Sequence, residues 1–210
     1  MQDGTKPSLE RRRGRPKQYD KQQAISAAMQ VFWTKGLSAT SLDDLATAMN
    51  MNRPSIYNAF GSKENIYLEA LNTFSAALDQ TLTSTLGATT LGSTADFQSG
   101  LLNFYYQAIN VYCEGDAQLG CFMACTAPAE AISYVEIQTA LNKMVSELDQ
   151  KISMYIQQAI NSGQLTQTSD PLLAAKMIQG TLQSFALRAR AGETKSQLRK
   201  LARFSIEYLK

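Results

Sequence analysis

Apolar residues recur at three- and four-residue spacing along most of the chain. The pattern begins just after Asp20, where Ala24, Ala27, Ala28, Val31 and Phe32 share one face of a helix that Asp20 caps. Gly36 ends that helix, because glycine accepts the left-handed backbone that closes helices. A short helix follows, capped by Ser41, with Asp43 and Asp44 well placed in its first turn and Leu42, Leu45, Ala46 and Met49 as its buried stripe. Asn52 caps a third helix over 53–60, in which Pro54 occupies the first turn, where no intrahelical donor is lost. Gly61 closes it, Ser62 caps a long helix from Lys63 to about Leu86, and 87–94 reads as a loop. Helical patterns resume at 96–114, 118–130, 134–162, 171–191 and 194–210. No alternating run is bounded by hairpin turns, so the pattern predicts an all-α chain of about nine helices.

Charge divides the chain unevenly. Residues 1–63 hold ten Lys/Arg against five Asp/Glu, and residues 64–210 hold ten against thirteen, so a net +2 hides a basic front on a mildly acidic body. Such asymmetry predicts that one end meets a polyanion. The basic run Arg11-Arg12-Arg13-Gly14-Arg15-Pro16-Lys17 precedes the first helix and carries too little apolar surface to offset the entropy of ordering it, so 1–18 reads as a flexible arm.

Histidine is absent from all 210 residues, which removes Ser-His-Asp and Cys-His catalysis and the commonest transition-metal ligand. No enzyme, metal or cofactor is therefore expected. Three cysteines without a disulfide framework fit a reducing, cytoplasmic setting. The polar start argues against a secretory signal, and no apolar run is long enough to suggest a membrane partner.

The stretch from Ser41 to Phe60 has the grammar of a helix-turn-helix: a short amphipathic helix, a tight turn, and a second helix of about two turns. That second helix exposes Arg53, Ser55, Tyr57 and Asn58 and buries Ile56, Ala59 and Phe60. Arg and Asn suit base edges, while Ser, Tyr and a helix N-terminus suit phosphates.

The segment from Ala28, AMQVFWTKGLSATSLDDLA, and its continuation MNMNRPSIYNAFGSKENIY from Met49 resemble the TetR family of regulators. The resemblance covers roughly residues 18–70. It rests on the aromatic-x-x-x-Gly helix end at Phe32 to Gly36, on Thr40, on the Tyr-x-x-Phe of Tyr57 and Phe60, and on Lys63-Glu64. It implies phosphate contacts at Thr40 and Tyr57, a DNA-binding role for Ser41, a phosphate clamp at Lys63, and a groove-facing set of Arg53, Ser55 and Asn58 with Arg53 as base reader. Asn58 departs from the aromatic or histidine often found at its position. Arg-Gly-Arg-Pro-Lys in the arm resembles an AT-hook-like minor-groove element, implying DNA contacts from Arg11, Arg12, Arg13, Arg15 and Lys17.

Beyond residue 70 only the helical layout matches. The family's organisation implies a helix-turn-helix domain over 19–65 and a helical-bundle regulatory and dimerisation domain over 66–210, with a small-molecule effector bound inside the bundle. The aromatic, Met- and Cys-rich middle offers Phe104, Tyr105, Tyr112, Cys121, Cys125, Met144 and Tyr155 as pocket residues. Cys121 and Cys125 share a helix face, which leaves open a thiol that senses oxidants or electrophiles. Helices over 171–191 and 194–210 are too apolar for ordinary surface helices. The resemblance implies that they pair across a two-fold axis through Ile178, Leu182, Phe185, Leu201 and Phe204. The leading expectation is thus a homodimeric repressor that binds palindromic operator DNA and is released by an effector. A cysteine-based sensor on the same scaffold, an enzyme using the helical pocket and a DNA binder without effector are the alternatives.

Overall fold

The computed structural model describes residues 20–87, 96–115, 117–165 and 170–207. Among the described residues there are nine helices and no strand: α1 (Lys21–Lys35), α2 (Leu42–Ala48), α3 (Arg53–Phe60), α4 (Lys63–Leu86), α5 (Phe97–Tyr112), α6 (Phe122–Glu130), α7 (Val135–Asn161), α8 (Pro171–Arg190) and α9 (Lys195–Glu207).

Local chemistry sets most boundaries. Asp20 accepts from the backbone N–H groups of Gln22 and Gln23, Asn52 from Ser55, Ser62 from Asn65, and Asp96 from Ser99. Ser41 and Asp44 form a reciprocal capping box at α2. Gly36 and Gly61, both at φ 79°, turn the chain out of α1 and α3. The sequence pattern differs from the structure at α6, which begins at Phe122 rather than near residue 118. Gln118 at φ 44° and Gly120 at φ 70° put a left-handed turn before it, which no continuous helix tolerates.

Helices α1 to α3 close around Ala28, Phe32, Leu37, Leu45, Ile56 and Phe60, all buried. α4 leaves this bundle and ties it to the rest. Its Ile66, Tyr67, Ala70 and Leu71 are fully buried, and it packs on α1 at one end and on α5, α6 and α7 further along.

The joint is aromatic. Phe122, fully buried at the start of α6, meets the rings of Trp33 (5.7 Å), Tyr67 (5.5 Å) and Phe74 (5.9 Å), while Tyr67 also packs edge-on against Phe32 at 5.2 Å. Polar bonds lock the same joint. The Tyr67 hydroxyl shares a 2.6 Å bond with Thr126 Oγ1, and burial pushes its pKa up to about 12. The buried Glu130 carboxylate accepts from Ser38 N (3.0 Å) and Ser38 Oγ (2.6 Å) in the α1–α2 loop. Arg190, at the end of α8, donates to Cys125 O at 3.0 Å and Trp33 O at 3.3 Å.

Three residues expected at a dimer surface are spent inside the monomer. Ile178, Leu182 and Phe185 are 2%, 3% and 0% exposed, because that face of α8 packs on α5 and α7. Tyr105 reaches across to donate to Ile178 O at 3.1 Å and stacks edge-on with Phe185 at 5.1 Å. The large apolar residues α8 leaves outside are Leu172, Leu173, Met177 and Leu187; on α9 Phe204 is exposed and Leu201 half-buried.

Candidate nucleic-acid interface and regulatory cleft

α3 is held by its inner face and open on its outer one. Ile56 and Phe60 are buried, while Arg53, Tyr57 and Asn58 are exposed and Ser55 is half-buried. The three expected groove-facing residues, Arg53, Ser55 and Asn58, and the expected phosphate contact Tyr57 thus lie on one short helix, whose first turn also carries the partial positive charge of a helix N-terminus. Ser41 is exposed as well, but its hydroxyl is engaged with Asp44 in the capping box.

Two expected phosphate contacts sit differently. Thr40 is 2% exposed and its hydroxyl donates to Gly36 O at 2.6 Å, so it braces the turn between α1 and α2 instead of facing outward. The Lys63 ammonium donates to Leu37 O and Thr40 O, both at 2.8 Å. It bridges two carbonyls of the turn that joins α1 to α2, of which Leu37 O also accepts from Thr40 N at 3.2 Å. The arm residues Arg11, Arg12, Arg13, Arg15 and Lys17 lie outside the described residues.

The acids of α2 are each matched to a cation. Asp44 takes a 2.6 Å bond from Lys35 and further bonds from Ser41, which together hold its carboxyl well below the usual carboxylate range. Asp43 receives Arg53 through both oxygens: Nε donates to Oδ1 at 2.7 Å and Nη2 donates to Oδ2. That bond with Arg53 lowers the Asp43 pKa and raises that of Arg53. Sequence reasoning read Asp43 only as a first-turn acid. The α2–α3 spacing of a helix-turn-helix was the signal that could have paired it with Arg53.

In the larger helical body, α4, α6 and α7 enclose a cleft of 680 Å³. Leu68, Ala76, Met123, Ala140, Met144 and Leu148 supply apolar wall, and Asp79, Glu136, Lys143, Glu147 and Lys151 supply charge, with Lys151 paired to Asp79 across it. Of the expected pocket residues, Met144 lines this cleft. Phe104, Tyr105, Tyr112 and Cys121 are packed solid, at 0%, 1%, 2% and 3% exposure, and Tyr155 is also buried. Aromatic residues at helical spacing here fill core. Cys125 lines a second cavity of 450 Å³ with Pro128, Leu141, Gln183, Leu187 and Arg190. Cys113, Cys121 and Cys125 are all free thiols, and burial pushes Cys121 up to about 11. Its sulfur accepts from Ala124 N at the start of α6.

Known proteins bear on this geometry in three ways. Residues 24–70 match the model of the bacterial regulatory proteins, tetR family. Over 194 residues, 92% of this chain and 90% of the relative, the chain is 24% identical to the HTH-type transcriptional repressor ComR of Escherichia coli strain K12. Over 61 residues, 29% of this chain and 31% of the relative, it is 41% identical to the HTH-type transcriptional repressor BdcR of the same strain. A cysteine-substituted CifR, a TetR family transcriptional regulator complexed with 26-base-pair operator DNA, superposes at TM-score 0.81 and 22% identity over 94% of this chain and all of that one. Reduced NemR of E. coli superposes at 0.78 and 19% identity over 90% and 95%. The helix-turn-helix built from α2 and α3 thus lies in a DNA-binding domain of the tetR type over residues 24–70, and the chain as a whole is similar to transcriptional regulators of the TetR family.

Proposed function

We propose that the chain is a repressor that binds two-fold symmetric operator DNA as a homodimer and lets go when a small molecule enters its helical body. The observation that carries this reading is α3: Arg53, Tyr57 and Asn58 stand exposed on a helix whose other face is fixed in a core. Residues 19–65 act as the DNA-binding domain, residues 66–210 as the regulatory and dimerisation domain, and residues 1–18 as an arm adding salt-dependent affinity. Tyr57 reaches a phosphate, while Arg53, Ser55 and Asn58 face the groove. Lys63 uses two of its three N–H groups on Leu37 and Thr40, and the third suits a phosphate.

Dimerisation uses the faces that α8 and α9 leave uncovered. Leu173, Met177, Gly180, Ser184 and Leu187 follow one another at three- and four-residue steps along α8, and Phe204 projects from α9. No side chain at Gly180 stands in the way of close approach. The effector site is the cleft between α4 and α7, whose apolar wall and charged rim suit an amphipathic molecule. Widening that cleft would tilt α4, which begins beside α3 and so sets the separation of the two recognition helices. The effector can shift this equilibrium only by its difference in affinity for the two states. In the alternative of a cysteine-based sensor, Cys125 would have to carry the chemistry. The Cys121 thiol is a poor nucleophile at neutral pH because burial disfavours its thiolate.

The test is selection of duplexes from a random library by the purified chain, followed by affinity measurement on the winner. A two-fold symmetric sequence should emerge, and Arg53→Ala should weaken binding to it about tenfold to a hundredfold, with the loss concentrated at one base pair per half-site. A uniform loss across all sequences would move Arg53 to the phosphate backbone.

A further inference from the structure

We propose that Asp43 is a specificity-determining residue that holds the Arg53 guanidinium side-on, so that its outer edge is presented ready-made to a guanine. The inference rests on the reading above that Arg53 faces the major groove.

A guanidinium has five N–H groups arranged around a plane. Asp43 occupies the edge formed by Nε and Nη2, one oxygen to each nitrogen. The edge formed by Nη1 and the second N–H of Nη2 is a parallel pair of donors. That is the geometry that matches O6 and N7 of guanine in the major groove. The carboxylate therefore leaves the reading edge intact while fixing the orientation of a long, flexible side chain before DNA arrives. Less freedom is then lost on binding.

An exposed ion pair ordinarily adds little to stability, and both partners here are largely exposed, at 57% and 68% of their side chains. What sets this pair apart is its position. It bridges the first residue of the recognition helix to the first turn of α2, with both carboxylate oxygens used. The neighbouring Asp44 is committed to Lys35 and Ser41, so the two acids have separate partners. Asp43 has a second consequence. A carboxylate beside the DNA-binding face repels phosphates wherever the guanine contact is not made, which lowers non-specific affinity. Both effects widen the gap between right and wrong sequences.

The experiment uses the duplex selected by the wild-type chain and variants in which each guanine of a half-site is replaced by adenine. Affinities are read by fluorescence anisotropy at one fixed salt concentration for wild type, Asp43→Ala, Asp43→Asn, Arg53→Ala and the double variant. Asp43→Ala should reduce the preference for guanine at one position about tenfold while raising affinity for a random duplex. Asp43→Asn, which keeps an acceptor but no charge, should fall between. In the Arg53→Ala background, Asp43→Ala should leave base preference untouched. Base preference unchanged by Asp43→Ala, with affinity raised equally on every duplex, would overturn the proposal. If Arg53→Ala also leaves preference unchanged, the groove-facing reading of Arg53 falls with it.

Discussion

Phe122→Ala should destabilise the folded chain by about 3–5 kcal/mol, the usual cost of deleting a fully buried aromatic ring. Phe122 is completely enclosed and its ring meets Trp33 of α1, Tyr67 and Phe74 of α4. The substitution removes a ring that touches all three at the junction between the α1–α3 bundle and the body behind it. Trp33 and Tyr67 cannot collapse into the space freely, since Tyr67 is bonded to Thr126 and packed on Phe32. Urea unfolding followed by Trp33 fluorescence measures the loss, and Phe122→Leu should recover more than half of it because the volume is largely retained. A loss below about 1 kcal/mol would mean that the bundle and the body are not joined through this cluster.

Gly120→Ala should be comparably damaging, at about 3–5 kcal/mol, through a different cause. Gly120 lies at φ +70°, and a Cβ there would stand 2.4 Å from the backbone oxygen of Ala186 and 2.9 Å from Cys125 Sγ. A sulfur can move aside, but the Ala186 carbonyl, near the C-terminal end of α8, cannot without displacing the helix. The turn before α6 would be pushed off α8, disturbing the outer face of α8 on which dimerisation is proposed to depend. Thermal unfolding together with sedimentation gives both readouts. Near-wild-type stability would mean that the turn and α8 are less closely packed than the structure has them.

Short-range chemistry was legible in the sequence. Asp20, Ser41, Asn52 and Ser62 cap the helices that the sequence expects them to cap, because a cap is decided within four residues. The exception at α6 is instructive. Glycine at 120 was visible, but the left-handed backbone at Gln118 that completes the turn has no marker in its residue type. Outward and inward faces were harder. Periodicity identifies an apolar stripe on α8 but not what covers it, and α8 has two: Ile178, Leu182 and Phe185 inside, Leu173, Met177 and Leu187 outside. Composition likewise cannot separate a cavity wall from solid core: Phe104, Tyr105 and Tyr112, which it offers as pocket residues, are buried packing. On the DNA-binding face, residue types located α3 correctly. The geometry around it depends on contacts ten and more residues apart: Arg53 with Asp43, and Lys63 with Leu37 and Thr40.

The central claim is that two copies of α3 read adjacent major grooves. Methylation interference on the selected duplex tests it most directly, since guanine N7 lies in the major groove and adenine N3 in the minor. The expected result is that N7 methylation blocks binding at two symmetry-related guanine positions, about one helical turn or a multiple of it apart, and that Arg53→Ala abolishes the effect there. Interference confined to adenine N3, or at a single unpaired cluster, would contradict a two-fold major-groove reader built on α3.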